Sequence, residues 1–89
     1  MTKPEGIYIV TDGEFYKIGI ATNIEKRVKG IQTGNPREIQ VIHYQKVTKA
    51  LKLEKEIHKE YQYERLMGEW FDLSDYDLTN IIETIKKAK

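Results

Sequence analysis

The sequence predicts a small α+β domain with its elements in the order strand, strand, helix, strand, helix, short strand, helix. Three observations carry this. An Asp12-Gly13 pair sits between two runs rich in β-branched and aromatic residues, the strongest short hairpin signal. The apolar period then changes from two to helical at about residue 22 and again at about residue 48. A serine followed by acidic residues, Ser74, Asp75 and Asp77, opens a last segment closing on Lys86, Lys87 and Lys89, the charge order a helix dipole favours.

In the first strand, Ile7, Ile9 and Val10 supply β-branched residues around Tyr8; in the second, Phe15, Tyr16, Ile18 and Ile20 do the same around Lys17 and Gly19. With Asp12 and Gly13 as a two-residue loop, Val10 faces Phe15, Ile7 faces Ile18 and Tyr8 faces Lys17. Those two odd polar residues then form a cross-strand pair on one face, their Cβ atoms about 5 Å apart. Thr22-Asn-Ile-Glu25 has capping-box spacing, and Ile24, Val28 and Ile31 repeat helically up to the breaker Thr33-Gly34-Asn35-Pro36. Arg27 falls about 60° from Ile24 on the wheel, at the border of the apolar stripe. Residues 38 to 47 alternate as a third strand. A second helix runs to about Tyr61 with Ala50, Leu53, Ile57 and Tyr61 on one side; Glu54 lies about 40° from Ala50, inside that stripe. Glu69 to Leu73 form a short extended segment before the last helix.

The 89 residues, 33% charged and 39% hydrophobic, have the composition of one ordinary folded domain spanning 1 to 89. The longest apolar run, 7 to 10, is far short of a membrane span of about 20 residues. There is no signal-peptide pattern and no cysteine, so a cytoplasmic setting is expected. Net charge is +1. Residues 1 to 50 hold eight Lys and Arg against five Asp and Glu, and residues 51 to 89 hold seven against nine, which points any polyanion to the N-terminal half.

A carboxylate on the buried side of a helix needs a partner. Glu54 has two readings: a structural ion pair with Arg27, or a ligand for a divalent cation. Tyr8, Lys17, Arg27 and Glu54 brought to one face supply what phosphodiester hydrolysis needs, namely a carboxylate for the cation, cationic groups for phosphate oxygens, and a hydroxyl near the attacking water. His58, one turn beyond Glu54, is a base, phosphate donor or second ligand, or else a buried helix histidine. A zinc site from Glu54 and His58 lacks further ligands, His43 having no matching partner. Trp70 and Phe71 suit packing, although an exposed Trp70 could stack on a base. Glu69 is a second acidic group at the site or a loop charge.

These residues resemble the GIY-YIG nuclease superfamily. Gly6-Ile7-Tyr8 matches its first motif, Lys17-Ile18-Gly19 the place of the second, Arg27 the arginine ten residues on, and Leu53-Glu54 the helical metal-binding glutamate. Glu54-x-x-x-His58 followed by Gly68-Glu69-Trp70-Phe71 is most similar to the small phage-type branch. The resemblance implies a three-stranded antiparallel sheet flanked by helices and a one-cation site. Glu54 would hold Mg²⁺ or Mn²⁺, Arg27 would stabilise phosphate charge, and Tyr8 would position or activate water. Gly19 would let the phosphate backbone approach. Lys26, Gly19 and Trp70 are the candidate substrate contacts, with Tyr8, Lys17, Arg27 and His58 the candidate catalytic set. Lys17 stands where the second motif has tyrosine, and Ile31 where some relatives have histidine. The expected function is a metal-dependent DNA endonuclease or nickase of low intrinsic sequence specificity, possible as a homodimer and with no membrane partner. The alternatives are a catalytically weak scaffold binding nucleic acid, nucleotide or a partner protein, and a regulatory subunit with a vestigial phosphate site.

Overall fold

The computed structural model describes residues 5 to 88; Lys89, expected in the last helix, lies outside them. The elements are β1 (Glu5–Thr11), β2 (Tyr16–Ala21), α1 (Ile24–Thr33), β3 (Gln40–Val47), α2 (Ala50–Glu60), a short 3₁₀ turn (Gln62–Glu64), β4 (Arg65–Met67), β5 (Trp70–Phe71) and α3 (Asp75–Lys87). The expected order holds, and the sheet is larger than three strands. It is antiparallel with strand order β3-β1-β2-β5-β4. The extra strand β4 carries three exposed residues, so no alternation of burial marks it in the sequence.

β1 is buried from Gly6 to Thr11 because it is central and covered on both faces. Ile7, Ile9 and Ile18 form one cluster with Ile57, Phe71, Leu73, Ile81 and Ile85, bringing α2 and α3 to that face. Tyr8 and Val10 form the other with Ala21 and Ile39, against which Ile24, Val28 and Ile31 of α1 pack.

The hairpin register differs from the two-residue-loop expectation. Thr11 pairs with Tyr16, Val10 with Lys17 and Tyr8 with Gly19. Tyr8 and Lys17 therefore share a face but are offset by two residues, not opposed. A type I′ turn would need positive φ at both central residues, and Gly13 alone in this loop has it, at 103°. Asp12 instead uses its carboxylate to accept the amides of Glu14 at 2.9 Å and Phe15 at 2.8 Å. Thr11 closes the loop by donating to the Phe15 carbonyl at 2.8 Å. Side-chain acceptors thus favour a four-residue connection over the tighter turn.

The cap of α1 is also one residue later than expected. Asn23, not Thr22, accepts the Lys26 amide at 3.1 Å, and Thr22 and Glu25 form no capping box. Asn is the stronger N-cap residue. α2 begins at Ala50 without a side-chain cap, two residues after the expected start. α3 has the full capping box between Ser74 and Asp77. Its C-terminal carbonyls receive the Gln45 amide from β3, at 2.8 Å for Ile85 and 3.4 Å for Ala88. No helix among the described residues is long and apolar enough to cross a membrane.

Candidate functional site

Two tyrosines reach across the sheet over glycines. Tyr44 of β3 lies over Gly6 of β1, where a Cβ would collide with its ring, and its hydroxyl donates to the Ala21 carbonyl of β2 at 2.9 Å. Tyr8 of β1 lies over Gly19 of β2. A Cβ on Gly19 would sit 2.5 Å from the Tyr8 hydroxyl and 2.9 Å from Oε1 of Glu69. The room left by Gly19 is therefore filled by Tyr8 and Glu69. Approach of a phosphate backbone over Gly19, which the resemblance implied, finds that space taken.

The Tyr8 side chain is fully buried, and its hydroxyl has no hydrogen-bond partner. The Glu69 carboxylate is nonetheless near enough to act on the phenol as an acceptor as well as a charge. Burial first, then the charges of Glu69 and Glu54, push the phenol up to about 12, against the opposing pull of the Arg27 guanidinium. Four elements thus converge electrostatically on one buried oxygen: β1 with Tyr8, α1 with Arg27, α2 with Glu54, and the β4–β5 turn with Glu69. Gly68, at φ 56°, makes that turn, and the Glu69 carbonyl accepts the Ile18 amide at 3.1 Å, fixing the backbone from which the carboxylate extends.

Lys17, paired across from both Val10 and Trp70, places Nζ 3.4 Å from Glu69 Oε1 and 5.7 Å from the centre of the Trp70 ring. Trp70 is half-buried against the α1-side cluster, so it packs while keeping an edge towards Lys17. Arg27 is exposed, further out than the border position expected. With Lys17 and Lys26 it lines an open cleft of ≈ 530 Å³, together with Asn23, Gly30 and Ile31. Three cationic side chains meet there at the N-terminal end of α1, and no carboxylate lines the cleft. Such an arrangement attracts anions, since side-chain charge and helix dipole have the same sign. Asn23 was missed in the sequence, and its signal was a second N-cap candidate beside Thr22.

Glu54 is half-buried and makes no ion pair with Arg27 among the described residues. Burial, then the charge of Glu69, holds its carboxyl above the ordinary value, against His58 and Lys55. His58 donates from Nε2 to the Ile18 carbonyl at 2.9 Å and meets Phe71 edge-on with centroids 4.8 Å apart. That nitrogen is committed to β2, and Nδ1 is left as the remaining polar atom of the half-buried ring. Among the described residues no three His, Asp or Glu side chains group in a way that could hold a metal ion.

The fold and the cleft define a small α+β domain with an anion-attracting groove beside the Glu69 carboxylate. The chain belongs to the T5orf172 domain family, whose model matches residues 5–88. No curated protein and no solved structure matches the chain.

Proposed function

We propose that this domain is a divalent-metal-dependent nuclease of GIY-YIG type that hydrolyses DNA phosphodiester bonds with low intrinsic sequence specificity. The observation that carries this reading is the convergence of Lys17, Lys26 and Arg27 on one open cleft, with Tyr8 and the carboxylates of Glu54 and Glu69 interacting beside it. Membership of the T5orf172 family supports a nucleic-acid-related function. The donor chemistry fits a hard cation: Glu54 is held above its ordinary value by burial and by a second carboxylate, a conflict a divalent charge relieves. One carboxylate with water and phosphate oxygens suffices for Mg²⁺ or Mn²⁺, whereas a closed zinc site would need more protein ligands.

In this reading Glu54 holds the cation, which when bound supplies Lewis acidity at the phosphoryl oxygen. Arg27 offers a planar fork to the phosphate and resists replacement by lysine. Lys26, on the same exposed side of α1, adds a second positive charge. Cations meeting phosphate oxygens read no bases, hence the low specificity. A second reading, a nucleic-acid-binding module without efficient turnover, is favoured by two observations: Tyr8 is closed off from solvent, and Lys17 occupies the second motif's tyrosine position.

The test is incubation of the purified protein with supercoiled and with single-stranded DNA, in Mg²⁺ or Mn²⁺ and with chelator. Nicked or cut product only with metal supports the nuclease; retarded but intact DNA in every condition supports the binding module.

A further inference from the structure

We propose that Glu69, and not Tyr8, is the group at this site that meets the attacking water, with Tyr8 acting behind it as a buried positioning donor. The inference rests on the nuclease reading above and goes beyond it by reassigning the base. Exposure decides between the two candidates. The Tyr8 hydroxyl is closed to solvent, so no water can touch it while the fold is intact. The Glu69 side chain is 39% exposed, so water can reach it and a proton can leave it.

Placement agrees. The Tyr8 hydroxyl and Glu69 Oε1 lie 2.5 and 2.9 Å from the same point above Gly19. A phenol donates and a carboxylate accepts, so a small rotation of Glu69 pairs the orphaned hydroxyl with the one carboxylate beside it. Lys17, 3.4 Å from the same Oε1, holds the carboxylate from the cleft side. Its backbone is tied to β2 through the Ile18 amide, so Glu69 hangs from a fixed point, as a base must. The other charged groups around the pair are Arg27 on α1 and Glu54 on α2.

The proton balance is simple. Water gives a proton to a Glu69 oxygen as its own oxygen bonds to phosphorus, the ester P–O bond breaks, and the departing oxygen takes a proton from solvent. Glu69 then returns its proton to bulk water. Tyr8 keeps its proton throughout.

The test compares Glu69→Gln, Glu69→Asp and Tyr8→Phe in single-turnover nicking of supercoiled DNA, with DNA binding measured separately in Ca²⁺. Circular dichroism melting checks that each variant is folded. Glu69→Gln is expected to lose at least about a hundredfold in rate while binding DNA as well as or better than wild type. Glu69→Asp is expected to regain part of the rate. Tyr8→Phe is expected to lose about tenfold in rate, the worth of one hydrogen bond, with DNA binding in Ca²⁺ unchanged. Abolished nicking in Tyr8→Phe with near-normal rates in Glu69→Gln overturns the assignment and makes Tyr8 the base. Wild type that binds DNA in Ca²⁺ but never nicks it removes the nuclease reading and this inference together, whereas wild-type nicking that Glu69→Gln leaves untouched removes this inference alone.

Discussion

Tyr44 and Tyr8 make the same move one strand apart, and only one of them finishes it. Each leans over a glycine of the next strand. Tyr44 ends on the Ala21 carbonyl, opposite the glycine it crosses, and so stitches three strands together. Tyr8 ends on no partner, beside a carboxylate and within the field of Arg27 and Glu54. A buried hydroxyl left unpaired costs stability. The same geometry therefore serves as a fastening at one crossing and leaves an open polar position at the other, and the open one adjoins the cationic cleft.

The sharpest way to break this contrast is to fill both glycines. Gly6→Ala and Gly19→Ala should each destabilise the fold by about 1–3 kcal/mol, because a tyrosine must move. Gly19→Ala should in addition cut nicking at least about a hundredfold, as displacement of groups by an ångström suffices for that. Gly6→Ala should leave the residual folded protein active. Comparable activity losses in both would make the two crossings equivalent.

A smaller effect comes from deleting the hydroxyls. Tyr44→Phe removes the side-chain hydrogen bond to the Ala21 carbonyl and should lower stability by about 0.5–1.5 kcal/mol. Tyr8→Phe removes a hydroxyl that only approaches an acceptor and should lower stability less than Tyr44→Phe does, despite its complete burial. A melting point that falls equally in both variants would mean that the two tyrosines are fastened equally well.

Much of this contrast was legible in the sequence, and the part that was not has identifiable causes. Tyr8 and Lys17 stand out as polar residues in apolar strands, and their common face follows from the period of two. Their register did not, because Asp12-Gly13 also suits a four-residue loop once Asp12 accepts two backbone amides. Tyr44 carried no signal, since a tyrosine in a strand is ordinary and only the three-dimensional crossing over Gly6 gives it meaning. Glu69 was ambiguous for the same reason: its place above Gly19 depends on β4, a strand too short and too exposed to leave a pattern. Glu54 was anomalous on the wheel, and the structure keeps it half-buried without the Arg27 ion pair.

Smaller again is the difference within α1. Arg27→Ala should weaken DNA binding more than Lys29→Ala and lower the salt dependence of binding further, because Arg27 lines the cleft and Lys29 does not. Equal losses in a salt titration would reduce the cleft to diffuse charge.

The smallest effect separates site from hairpin by pH. With the Glu54 carboxyl raised by burial and by Glu69, the native state holds more protons than the unfolded chain in the window above the ordinary 4.5. Its contribution to stability is full below that value and is lost as pH rises through the raised one. Asp12 is opposite in sign. Burial alone would raise it, but the Phe15 and Glu14 amides and Arg37 outweigh that and hold it below 3.8. Its contribution is present above 3.8 and is lost as pH falls through the lowered value. Melting curves of Glu54→Gln and Asp12→Asn against pH should therefore diverge from wild type in opposite directions.

The claim that this cleft is a metal-dependent nuclease site is tested most directly on Glu54→Gln, with nicking rate and melting temperature measured on the same preparation. The substitution removes a charge without opening a cavity, and no ion pair is lost. Nicking should fall at least about a hundredfold for want of the cation, with the melting temperature at neutral pH unchanged or raised. Normal nicking together with a lowered melting temperature would contradict the account, making Glu54 a structural residue and leaving the proposed site without a metal ligand.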